Sequence, residues 1–154
     1  MPQEGAMLMS RLEMVSPTRA KIVMEGLYKD LERRIEASQP GLCPVDLARA
    51  FLELCYAQTC GKCVPCRIGL KQLMLLIQDV LDGKATMDTL KLMEETALAV
   101  MEAADCAIGY EAANMVYKGL TGYRDEYIEH IVDKKCAAHV CKSMRVYEID
   151  PDKC

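Results

Sequence analysis

Apolar residues recur along this chain at helical spacing, with charged residues on the opposing faces. Ser16-Pro17 is a helix start signal, with Ser as N-cap and Pro at the first helical position. Beyond it Ala20, Val23, Met24, Leu27, Leu31 and Ile35 form one stripe, while Lys29, Glu32, Arg33 and Glu36 lie opposite. This predicts a helix to about Ser38, ended by Gln39-Pro40-Gly41. A second helix is predicted from about Pro44, with Val45, Ala48, Phe51, Leu52 and Cys55 on one side. A third, from about Cys66 to Leu81, carries Leu70, Leu73, Met74, Ile77 and Leu81, and Gly83 suits its C-terminal cap. A fourth, capped by Asp88, carries Leu90, Met93, Ala97, Val100 and Met101 and stops at Cys106, where Gly109 is expected to break the pattern. Shorter helices are predicted over 110–118 and 123–134. Residues 7–15 read as a short helix or a docking segment, and only Met144 to Ile149 shows strand-like alternation.

The expected fold is therefore all-α: a small helical bundle over 44–131, with a helical arm over 1–43 and a Cys/His-rich tail over 132–154. The 154 residues suffice for one domain with a real core. Hydrophobic residues make up 51% but aromatics only 5%, so the apolar mass is aliphatic and suits helix-on-helix packing. A net charge of −4 with mixed surface charge argues against a nucleic-acid partner or an anionic membrane. No apolar run approaches the length of a membrane span, and no secretory signal is visible. Nine cysteines, an odd number, with three crowded into one turn, read as metal ligation in a reducing cytoplasm rather than as a disulfide framework.

That crowded turn is Cys60-Gly61-Lys62-Cys63-Val64-Pro65-Cys66. Cysteines at i, i+3 and i+6 in a loop can aim their sulfurs at one point, and Gly61 permits the tight turn. Cys106 is the best fourth ligand. The third and fourth helices, joined by a short turn, run antiparallel, so the end of the fourth returns beside Cys66. Structural zinc and a [4Fe-4S] cluster both accept four thiolates. Zinc usually takes two ligand pairs, whereas three close cysteines and one remote one favour the cluster. A thiol–disulfide switch at Cys60 and Cys63 fits less well, because no strand precedes them and Cys66 and Cys106 would have no role.

The wider motif, Thr59-Cys60-Gly61-Lys62-Cys63-Val64-Pro65-Cys66-Arg67-Ile68-Gly69 followed by Cys106-Ala107-Ile108-Gly109, resembles a known family. It is similar to the C-terminal iron–sulfur domain of the NADH-binding flavoprotein subunit of complex I. The same domain occurs in NAD-dependent and electron-bifurcating hydrogenases and transhydrogenases. The likeness spans about 44–131, ending in Tyr127-Ile128-Glu129-His130-Ile131. It implies a helical bundle whose Cys60, Cys63, Cys66 and Cys106 hold one [4Fe-4S] cluster exchanging electrons with a flavin. Residues 1–43 have no Gly-x-Gly-x-x-Gly, so FMN and NAD(P) are expected on a partner subunit. Other iron–sulfur subunits and an anaerobic metabolism are expected alongside. No general acid–base pair or nucleophile accompanies the cysteines, so the chain is expected to relay electrons without bond chemistry. The alternative is a zinc-stabilised structural adaptor in a protein complex.

Around the ligands, Lys62 and Arg67 are expected to form the cluster environment, because cations stabilise the reduced form of an anionic cluster. Lys71 reads as ordinary solvated charge, and Met74, Met93 and Met101 as core filling. In the tail, Cys136, Cys141 and Cys154 with His139 or His130 could close one zinc site. The tail also resembles the linker to a ferredoxin-like domain in the bifurcating hydrogenases. Cys43 and Cys55 read as buried small hydrophobes.

Overall fold

A computed structural model describes residues 19–37, 41–145, 147, 149–151 and 153. Its helices are α1 (Arg19–Ala37), α2 (Pro44–Ala57), α3 (Lys71–Leu81), α4 (Met87–Ala103), α5 (Ala107–Gly122) and α6 (Arg124–Ile128). Among the described residues there is no strand. The Ser16-Pro17 start signal and residues 7–15 lie outside them.

Local chemistry explains where the helices begin. Cys43 is extended (φ −99°, ψ 122°), the conformation favoured before proline, and Pro44 opens α2 where a missing N–H costs nothing. Asp88 does not cap α4. Thr86 does: its hydroxyl accepts from the Thr89 N–H, and the Thr89 hydroxyl accepts from the Thr86 N–H at 3.1 Å. Asp88 instead lies in the first turn, where an acid complements the helix dipole. Gly83, at φ 71°, carries the chain out of α3.

Two expectations at the cysteines are corrected. The helix predicted to start at Cys66 divides into a π-helical turn, Pro65–Leu70, followed by α3. Gly109 does not break the pattern; it is buried inside α5, which runs unbroken over the range expected to be interrupted. A side chain there would collide with Cys66, because an ideal Cβ would lie 2.6 Å from its Sγ. The glycine records a close approach between elements, not a helix end.

The long α5 is the central pillar, packing against α4, α2 and α1. Its Ala112, Ala113 and Val116 are fully buried, and small side chains let neighbouring helices come close. Leu70, Leu73, Ile77, Leu90, Met93, Phe51 and Leu52 complete the centre of the core. Each large side chain contributes roughly 1.5–3 kcal/mol by leaving water. Cys55 is buried as expected; Met93 is core, and Met74 and Met101 pack against it.

Arm and tail share this core. Met24, Leu27 and Leu31 bury the inner stripe of α1. After α6 a second π-helical turn, Glu129–Asp133, leads to Lys134 in the left-handed region, and the chain folds back. A 3-10 turn, Lys142–Met144, fixes the tail, and Ser143 donates to the Leu81 carbonyl at the end of α3. Met144, expected to start a strand, is buried as the last residue of that turn. No helix among the described residues is long and apolar enough to cross a membrane.

Candidate metal centres

Cys60, Cys63, Cys66 and Cys106 meet at one end of the bundle, where the loop after α2 faces the start of α5. Gly61, at φ 70°, makes the turn inside the ligand loop. The π-helical turn carries Cys66 inward until it is buried against the first turn of α5. Cys106 is extended and serves as the N-cap residue of α5. Cys60, Cys66 and Cys106 line one cavity of about 330 Å³.

The electrostatics agree with that convergence. Burial pushes the Cys66 thiol up to about 12, helped by a hydrogen bond and negative charge from Cys63 and by the charges of Cys106 and Cys60. Cys63 is lowered, chiefly because its sulfur accepts from the Cys66 backbone N–H and, further on, from that of Asp105. Three thiols around one cavity, with Cys63 beside Cys66 and amide N–H groups turned toward its sulfur, suit a polynuclear cluster. Lys62, on the loop, and Arg67, in the π-helical turn, are both exposed. A cation not anticipated from the motif, Arg19 of α1, lines the same cavity.

A second constellation is tighter. Cys43, His130, Cys136 and Cys141 are all buried, and their ligand atoms lie within 4.8 Å of one another. Cys43 Sγ is 3.3 Å from His130 Nε2, Cys141 Sγ is 3.6 Å from the same nitrogen, and the two sulfurs are 3.7 Å apart. A tetrahedron with Zn–S bonds of about 2.3 Å has edges of roughly 3.8 Å, so these spacings are those of a single ion. His130 Nδ1 is 2.7 Å from the Glu126 carbonyl, which can only accept. Nδ1 therefore carries the proton and leaves Nε2 to face the sulfurs, the usual arrangement of a zinc histidine held by a backbone carbonyl. Hydrogen bonding from Cys141 holds the Cys43 thiol well below the usual range despite burial, while Cys141 is pushed up.

The ligand set expected in the tail is thus revised. Cys136, Cys141 and His130 come together, and Cys43, expected as a small hydrophobe, joins them. Cys154 lies outside the described residues. His139 is not in the group; it occupies a turn at φ 55°. Distance in sequence hides Cys43 from a motif search. Its position directly before Pro44, as the N-cap residue of α2, marks a helix start and gives no ligand signal of its own.

The family described as the NADH-ubiquinone oxidoreductase-F iron-sulfur binding region matches residues 46–130, more than half of the chain. The chain belongs to this family of iron–sulfur-binding domains. It is 38% identical over 112 residues to the NADP-reducing hydrogenase subunit HndC of Solidesulfovibrio fructosivorans, covering 73% of this chain and 23% of that protein. It is 34% identical over 101 residues to an NADH-quinone oxidoreductase subunit of Streptomyces coelicolor, covering 66% of this chain and 22% of that one. A match of 26% over 77 residues reaches the beta subunit of the NADP(+)-dependent formate dehydrogenase of Moorella thermoacetica, covering 50% of this chain and 11% of that protein. The chain spans about a quarter or less of the length of these relatives.

Proposed function

We propose that this chain is an electron-transfer subunit in which Cys60, Cys63, Cys66 and Cys106 hold one [4Fe-4S] cluster. The observation that carries the reading is that Cys60, Cys66 and Cys106 line a single cavity, with Cys63 hydrogen-bonded beside Cys66, all within the family's matched range. Bound there, a cluster supplies one-electron chemistry near the surface of the bundle. The protein's own contribution is to fix the sulfurs, offer N–H groups to Cys63, and present Lys62 and Arg67 nearby. The partner is a flavin- and NAD(P)-binding oxidoreductase subunit, with further iron–sulfur subunits beyond it. The class extends to electron-bifurcating complexes in the cytoplasm of anaerobes. The relatives' names, hydrogenase, quinone oxidoreductase and formate dehydrogenase subunits, support an electron-transfer role within an oxidoreductase complex. Cys63→Ala should bleach the anaerobically purified protein and lower its iron; full iron retention in that variant would overturn the ligand assignment.

The second constellation has a different role in the proposal. Cys43, His130, Cys136 and Cys141 hold one zinc ion, a closed site with four protein ligands and no open position for catalysis. It ties the residue before α2 to the turns after α6, contributing to folding rather than to electron flow.

A further inference from the structure

The arm helix α1 lies outside the stretch matched by the family, residues 46–130. Its docking is nevertheless specific. Met24, Leu27 and Leu31 are buried, Tyr28 stacks on Phe51 with ring centres 5.2 Å apart, and the Tyr28 hydroxyl donates to Glu111 of α5 at 2.6 Å. Arg34 reaches Asp46 of α2 at 3.6 Å. These contacts fix the direction of the helix. They place Arg19, Ala20 and Val23 along the wall of the cavity that Cys60, Cys66 and Cys106 line from the other side.

We infer that α1 is a built-in wall of the cluster site and that Arg19 is a positioning residue tuning the cluster's reduction potential. The inference deepens the reading of Cys60, Cys63, Cys66 and Cys106 as cluster ligands and rests on it. Ala20 and Val23 are half-buried and present hydrocarbon to the cavity beside the exposed Arg19. A four-thiolate cluster gains negative charge on reduction, so a guanidinium at the cavity stabilises the reduced form more than the oxidised one. No acidic residue occupies the first turn of α1 to offset it. Asp105 works in the opposite direction, its charge reaching Cys63. Arginine suits the role because it keeps its charge at every physiological pH.

The test is an anaerobic redox titration of the full chain followed by EPR. Arg19→Gln should lower the midpoint potential while iron content and thermal stability match those of the parent protein. Arg19→Lys should restore much of the shift. Arg33→Gln removes the same charge from the same helix, but at a position that does not line the cavity and is paired with Asp30, and should leave the potential in place. An Arg19→Gln potential equal to those of the parent and Arg33→Gln would overturn the inference while leaving the cluster intact. A parent protein without iron would instead overturn the ligand reading, and this inference with it.

Discussion

Cys43 Sγ lies 3.3 Å from Nε2 of His130, although 87 residues separate them in sequence. The contact joins the residue that starts α2 to the π-helical turn that follows α6. With Cys136 and Cys141 beside them, it turns the return of the chain into a candidate ligand cage. Cys43→Ser or His130→Ala should reduce zinc from about one per chain to a small fraction, with iron retained. The thermal midpoint should fall by several degrees or more, because the metal contributes to folding. Parallel zinc and iron analyses check this. Unchanged zinc in Cys43→Ser would mean that the quartet is only a packed cluster of thiols.

Gly109 and Gly26 make an instructive pair. Both are helical, but a Cβ on Gly26 meets nothing within 4 Å, whereas one on Gly109 meets Cys66 Sγ at 2.6 Å. Gly26→Ala should stabilise the protein by about 0.5–1 kcal/mol through helix propensity. Gly109→Ala should destabilise it by about 1–3 kcal/mol and weaken iron retention, since either Cys66 or α5 must shift. Urea unfolding and iron analysis of the two variants provide the comparison.

Tyr127 is fully buried, and its hydroxyl has no hydrogen-bond partner among the described residues. An unpaired buried hydroxyl costs about 1–3 kcal/mol. Tyr127→Phe should therefore match or exceed the parent's stability, by about 1 kcal/mol. A clear loss of stability in urea would reveal a partner for that oxygen.

Alkaline pH acts on two groups at the α1–α2–α5 contact. Burial, reinforced by the Glu111 charge, pushes the Cys55 thiol up to about 12. Burial and the hydrogen bond to Glu111 likewise raise Tyr28. Both are acids whose neutral form is favoured by the fold. Their contribution is complete below the unfolded values, about 8.5 for Cys and 10 for Tyr, and is lost as pH rises through the folded ones. Urea midpoints should be flat between about pH 7 and 8 and decline above about pH 9, with Cys55→Ala removing part of that decline. An undiminished midpoint at about pH 11 would contradict this.

The periodic stripes make the bundle legible. Val45, Ala48, Phe51, Leu52, Leu73, Ile77, Leu90 and Met93 are buried where helical spacing puts them. The cysteine loop is legible because its ligands are close in sequence and its glycine and proline have local geometric meaning. Contacts between distant segments are not. Gly109 looks like a helix breaker in sequence because the neighbour that requires it, Cys66, comes from another element. Cys43 has companions that all lie beyond residue 129, and Arg19 comes to line the cavity shared with Cys60, Cys66 and Cys106 only through the docking of α1. The π-helical turns are hidden for a similar reason: one extra residue per turn re-aims Cys66 and His130 inward without changing the apolar pattern.

The most direct test is metal analysis of the anaerobically purified chain, with EPR spectra before and after dithionite. About four irons and one zinc per chain, with a paramagnetic signal appearing on reduction, are the expected result. Zinc without iron, and no signal from the reduced protein, would contradict the electron-transfer assignment and favour a zinc-stabilised structural adaptor.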